Sequence, residues 1–90
     1  MDGSSYVTIY VTGLPRRMTA AQLAQLCAVY GTVQDVRMEC DPQTGAAWPF
    51  GYVRFSTAAQ ARLAASSLHG KHYRGDILAA RQTEAMPNAA

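Results

Sequence analysis

The spacing of hydrophobic positions changes several times along the chain, and each change marks an element. From Tyr6 to Thr12 apolar and polar positions alternate, with Val7, Ile9 and Val11 on one face and Tyr6, Thr8, Tyr10 and Thr12 on the other, which predicts a half-buried strand. Gly13, Leu14 and Pro15 end it. Between Thr19 and Tyr30, the residues Leu23, Leu26, Cys27 and Tyr30 fall at i, i+3, i+4 and i+7, the stripe of a helix that buries one face, and Gly31 is the expected terminator. Thr32 to Cys40 alternates again, with Val36, Met38 and Cys40 inward and Asp35, Arg37 and Glu39 outward, before a loop through Asp41, Pro42 and Gly45. Phe50 to Phe55 predicts a third strand, with Gly51, Val53 and Phe55 on one face and Phe50, Tyr52 and Arg54 on the other. Thr57 to Leu68 carries Ala61, Ala64, Ala65 and Leu68 at helical spacing. Gly70 and Gly75 bracket a loop, and Ile77 to Arg81 predicts a last short strand.

A weak internal repeat supports this layout. Thr19, Ala20, Ala21, Gln22 recurs as Thr57, Ala58, Ala59, Gln60, and each quartet opens a predicted helix as a candidate capping box. Strand, helix, strand, strand, helix, strand is two βαβ halves. Right-handed crossovers then give an α+β fold, a ferredoxin-like βαββαβ sandwich with a four-stranded antiparallel sheet and both helices on one face. The domain is expected over residues 6–82, with tails at 1–5 and 83–90 whose small, polar or alanine-rich residues offer no buried face.

Composition narrows the function classes without naming one. Ninety residues, 49% of them hydrophobic, suit a single domain with one core. No apolar run approaches the ~18 residues of a membrane span, so a membrane partner is not expected. Two cysteines are too few for a disulfide scaffold and point to a reducing compartment, nuclear or cytoplasmic. Cys27 and Cys40 fall on core-facing positions, and with His69 and His72 they make no zinc-ligand spacing, so neither metal nor cofactor is expected. Ser66, Ser67 and His69 are close in sequence but lack an orienting third group, and Gly13 and Gly51 lack a phosphate-loop context, so an enzyme is not expected. A formal charge of +2 permits an anionic partner without requiring one.

The helix-free face of the sheet is where chemistry concentrates. Tyr10, Phe50 and Tyr52 point away from the core side on two strands, with Arg37 and Arg54 on the same face. Flat rings on a rigid sheet stack nucleobases, and guanidinium groups reach phosphates or stack in turn. Ile9, Tyr10, Val11, Thr12, Gly13, Leu14 resembles the hexapeptide of the RNA recognition motif family, and Trp48, Pro49, Phe50, Gly51, Tyr52, Val53, Arg54, Phe55 resembles its octapeptide. The approach through Asp41, Pro42, Gln43, Thr44, Gly45 is also similar to a loop of that family.

The resemblance implies that Tyr10 and Tyr52 each stack a base and that Phe50 packs against a ribose. It departs from the family pattern at Trp48 and Pro49, where a basic residue and a glycine are usual, which removes a phosphate contact. Compensating charge is then expected from Arg16 and Arg17 after the first strand, from Lys71 and Arg74, and from Arg81 on the last strand, with Trp48 as an extra stacking surface and Gln82 and Thr83 setting base preference. The implied function is binding of single-stranded RNA by a monomer in messenger RNA processing or post-transcriptional control, alongside other RNA-processing proteins. Two rivals share the scaffold. One is single-stranded DNA binding. The other is a peptide-capturing variant, which Lys71, His72, Tyr73 softly matches but which the absence of acidic residues from Thr19 to Tyr30 argues against.

Overall fold

The computed structural model of the chain describes residues 6–14, 18–40, 43, 47–73 and 75–83, with the backbone alone at 39, 40 and 47–49. In chain order the elements are β1 (Thr8–Thr12), α1 (Ala20–Ala28), β2 (Val33–Cys40), β3 (Ala47–Phe55), α2 (Ala58–Leu68), β4 (His72–Tyr73), β5 (Asp76–Ile77) and β6 (Ala79–Thr83). The main sheet runs β2-β3-β1-β6 with every neighbouring pair antiparallel, and both helices pack on one side of it, as the repeat predicts.

Alternation and core coincide. Ile9, Val11, Val53 and Phe55 from the two central strands meet Leu23 and Cys27 of α1 and Ala61, Ala64 and Leu68 of α2, all fully buried. Leu26, Tyr30, Val36 and Met38 pack at its margin. Burying each large side chain here contributes about 1.5–3 kcal/mol, so the sheet's inner face is the main source of stability. The small alanine stripe lets α2 lie close to β1, β3 and β6.

Gly51 does the same for α1. A Cβ there would stand 3.0 Å from the Arg37 carbonyl oxygen and the Met38 sulfur and 3.1 Å from Leu23 Cδ2.

Several boundaries differ from the sequence expectation. β1 starts at Thr8, and Tyr6, expected on the open face, instead borders a hollow with Ala58, Arg62 and Gln82 beside α2. β3 begins three residues early, at Ala47. Pro49 is tolerated there because β3 outruns β1, whose Thr12 pairs with Phe50, and because the β2–β3 ladder is irregular between Met38 and Cys40. Ile77 does not start the last strand. It closes a small hairpin with His72, turned by Gly75 at φ +90°, and is largely exposed, while β6 runs from Ala79 through Thr83. Thr83, expected in the C-terminal tail, ends β6, and Arg74 with residues 1–5 and 84–90 lies outside the described residues.

The two capping quartets diverge. At α1 the box is complete: Gln22 N–H donates to Thr19 Oγ1 at 3.1 Å, and Thr19 N–H donates to Gln22 Oε1 at 2.9 Å. At α2 the Thr57 cap is kept, but Gln60 Oε1 accepts instead from Thr32 N–H at 3.2 Å and from the Ser56 hydroxyl at 2.7 Å. Gln60 thus ties the first turn of α2 to the approach to β2. This explains Gly31, which was expected to end the helix and is not among the glycines of positive φ. A Cβ at Gly31 would lie 2.6 Å from both Cβ and Cγ of Gln60, so glycine leaves the space that Gln60 occupies.

Gly31→Ala should therefore destabilise the domain by about 1–3 kcal/mol in chemical denaturation. The cost should shrink in a Gln60→Ala background, and a strictly additive pair would contradict the packing account.

Burial pushes the Cys27 thiol from an ordinary 9.0 up to about 12. The folded state holds the proton more tightly than the unfolded one, so this contribution is complete below pH 9 and is lost as pH rises from 9 towards 12. Stability measured across that window should fall less steeply in Cys27→Ala than in the wild type, and Cys27 should resist iodoacetamide until the chain unfolds.

Candidate nucleic-acid interface

The open face is built by cross-strand register. Arg37 on β2 pairs with Tyr52 on β3, Tyr52 with Tyr10 on β1, and Tyr10 with Arg81 on β6, so one transverse row reads Arg37, Tyr52, Tyr10, Arg81. The next row on the same face is Asp35, Arg54, Thr8, Thr83, and on the other side lie Phe50, Thr12 and Ala79. Alternation in each strand keeps all of these off the helix side.

The three rings form one cluster. Tyr10 lies 4.9 Å from Tyr52 at an interplanar angle of 41° and 5.6 Å from Phe50 at 56°, separations at which aromatic rings attract. This mutual packing leaves Tyr10, Phe50 and Tyr52 half-buried on the face that the sequence placed away from the core. Their position is set before any ligand arrives.

Charge surrounds the rings. The Arg81 guanidinium carbon stands 5.9 Å from the Tyr10 centroid, over the ring. Arg37 is half-buried, and its Nε is fully buried with no hydrogen-bond partner among the described residues. Arg54 is exposed opposite Asp35, whose Oδ1 accepts from the Val36 amide at 2.9 Å. Thr8, expected on the outward face, is 1% exposed because it sits on the central strand between Arg54 and Thr83.

Of the residues singled out from sequence, the sheet brings together Tyr10, Phe50, Tyr52, Arg37, Arg54 and Arg81. Gln82 does not join them. It pairs with Ile9 on the core side, and its amide donates to the carbonyls of Tyr6 at 3.0 Å and Ala58 at 3.3 Å, which fastens the end of β6 to α2. Arg16, Arg17 and the Trp48 side chain lie outside the described residues. Lys71 is exposed on the segment that leads into β4.

The interface read from the sequence includes neither His69 nor Thr12. They line a cavity of about 260 Å³ beside Tyr10, with Ala79, Ala80 and Arg81. Strand alternation already put Thr12 on this face. Nothing local marks His69, whose contact with the sheet spans eleven positions.

Arg37→Met keeps the packing of the stem and removes a buried donor that has no partner among the described residues. The variant should be as stable as the wild type or more stable by up to about 1 kcal/mol; clear destabilisation in denaturant would show that the guanidinium is held by the fold.

Comparison with known proteins agrees with the geometry. Residues 9–78 match the RNA recognition motif family. The chain is 34% identical over 70 residues to an uncharacterised RNA-binding protein of Schizosaccharomyces pombe, covering 78% of this chain and 24% of that protein, so it spans about a quarter of that relative's length. Among solved structures it resembles RNA binding protein PG1, with a TM-score of 0.85 and 29% identity over 91% of this chain and 99% of that one. It also resembles the protein of an SXL-lethal protein/RNA complex, with a TM-score of 0.82 and 28% identity over 92% of this chain and 52% of that one. With its paired motifs on adjacent central strands and a family match over most of its length, the chain belongs to the RNA recognition motif family.

Proposed function

We propose that the chain binds short single-stranded RNA on the open face of its sheet, in the setting of messenger RNA processing or post-transcriptional control. The observation that carries this reading is the row Arg37, Tyr52, Tyr10, Arg81, two adjacent rings flanked by two cations in one register. Three strand spacings of about 4.8 Å make it roughly 14 Å long, in scale with the two or three bases that such a sheet stacks. The RNA-binding description of the S. pombe relative and the RNA complex of the solved neighbour support the ligand class.

In this reading Tyr10 and Tyr52 each stack a base, Phe50 packs against a ribose, and Arg37, Arg54 and Arg81 meet phosphates or base edges. A base in contact with a ring lies about 3.5–4 Å above it. Arg81, with its guanidinium carbon 5.9 Å from the Tyr10 centroid, leaves too little space for both. Binding therefore exchanges the Arg81–Tyr10 contact for a base–Tyr10 stack, and frees the guanidinium for the ligand. Arg16 and Arg17, which follow β1 in the sequence, and Trp48, the second residue of β3, add further contacts in this reading.

Stacking contributes about 1–3 kcal/mol per base, whereas each phosphate neutralised on a single strand steepens the salt dependence by about 0.7. With two to four cations in reach, rings outweigh charge. Titration of a short single-stranded RNA should give affinity of about 1 μM, equivalent to roughly 8 kcal/mol, with a salt slope of about 1.4–2.8. Tyr10→Ala or Tyr52→Ala should weaken binding by about 5- to 150-fold with the fold intact by circular dichroism. Unchanged affinity in both would remove the site from the sheet. Matched DNA that binds equally well would move the reading to single strands in general, since only 2′-hydroxyl contacts separate the two.

A further inference from the structure

The open face continues round the outer edge of β6. There the cavity of about 260 Å³ is bounded by Tyr10 and Thr12 on one side, Ala79 and Arg81 below, and His69 on the other. It is smaller than the roughly 300–1,000 Å³ pockets that take drug-sized ligands and in scale with one nucleobase. An adjoining, more open hollow shares His69, Ala80 and Arg81 and is bordered by Arg62, so a cation lies along the way off the sheet.

His69 is placed by two constraints. It caps α2 in extended backbone, φ −63° and ψ 121°, which carries the chain out of the helix beside the sheet. Its Nδ1 then accepts from the Ala80 N–H at 3.3 Å. A neutral imidazole that accepts through Nδ1 carries its proton on Nε2, so the bond to Ala80 fixes the tautomer and leaves the free nitrogen as a donor.

The other polar side chains of the cavity are the Arg81 guanidinium, which is donor-only, and the Thr12 hydroxyl, which serves either way. Among the described residues no carboxylate lines it. The complementary ligand edge is rich in acceptors. Uracil and guanine present a keto oxygen where cytosine and adenine present an amino donor.

We propose that this cavity is a nucleobase subsite beside Tyr10 that selects keto bases, with His69 as its specificity-determining donor; the proposal rests on the RNA-binding reading of the open face. The added nucleotide follows the base on Tyr10 over the edge of β6, its base edge meets His69, and its phosphate passes Arg81 towards Arg62. His69 touches the ligand only here, so its loss alters selectivity and leaves stacking on Tyr10 and Tyr52 in place.

The test is fluorescence anisotropy with labelled tetra-adenosine and the same oligonucleotide extended by one uridine or one cytidine at either end. For the wild type, uridine should be preferred over cytidine at one end by about three- to tenfold, the effect of one hydrogen bond. His69→Ala should bind tetra-adenosine like the wild type and lose the preference. His69→Gln, whose amide both accepts from Ala80 N–H and donates onward, should retain part of it and guards against a merely structural effect. Equal binding of the two extensions by the wild type, or an undiminished preference in His69→Ala, overturns the subsite while leaving the open-face reading intact. Failure of the wild type to bind any of the oligonucleotides overturns that reading, and the subsite with it.

Discussion

The antiparallel pairing of β1 with β3 governs both faces of the sheet. Side chains alternate along a strand, so the register that sets Ile9 against Val53 on the inside sets Tyr10 against Tyr52 on the outside. A slip of one residue would drive Tyr10 into the helices and expose Ile9 and Val11. Ile9, Val11, Val53 and Phe55 are each fully buried, and at about 1.5–3 kcal/mol apiece their loss exceeds what ring contacts on the open face return. The core therefore aligns the rings, and a register that put a side chain in place of Gly51 would crowd Leu23 of α1 and Arg37 and Met38 of β2 at 3.0–3.1 Å.

Charge plays the smaller part on this face. The whole chain carries a formal +2, and Asp35 and Arg54 stand opposite each other on the open side. The conspicuous cation is Arg37, whose Nε is buried with no partner among the described residues. Such a group costs stability when left unpaired, and natural proteins carry such costs mainly where a ligand completes them. Arg81, by contrast, is exposed. It rests over the Tyr10 ring, a contact of about 0.5–1 kcal/mol at an exposed site, weak enough for a stacking base to displace. In the proposed reading, rings held in place beside a few cations favour unpaired bases over duplex, whose bases are already stacked and whose main offering is phosphate.

What the sequence made legible follows from periodicity. Alternation placed Tyr10, Phe50, Tyr52, Arg37 and Arg54 on one face, and the i, i+3, i+4, i+7 stripes named the buried residues of both helices, Leu23 and Cys27 or Ala61, Ala64, Ala65 and Leu68. Periodicity describes contacts across one face of one element and is blind to side chains that bridge elements. Gln60 and Gln22 occupy equivalent places in a repeated quartet, yet Gln60 leaves its cap because Thr32 and Ser56 offer better-placed partners. Gln82 was read by proximity to the end of the last strand, and one residue of parity turned it to the helix side. The hairpin of β4 and β5 escaped because two-residue strands carry no alternation to read.

The outer edge of β6 shows how one set of contacts serves two ends. An edge strand exposes backbone groups to which a foreign strand adds readily, and proteins blunt such edges. Here the Ala80 N–H is taken by His69 Nδ1, while the Leu78 carbonyl accepts from Gly70 N–H and the Leu78 N–H donates to the Lys71 carbonyl. The end of α2 and the segment after it thus occupy the upstream half of the edge. Because the capping group at Ala80 is an imidazole and not a backbone strand, the edge keeps a polar side chain with a second nitrogen to offer, beside the Tyr10 ring of the proposed interface. Protection from strand addition and the shape of the cavity are consequences of the same bond.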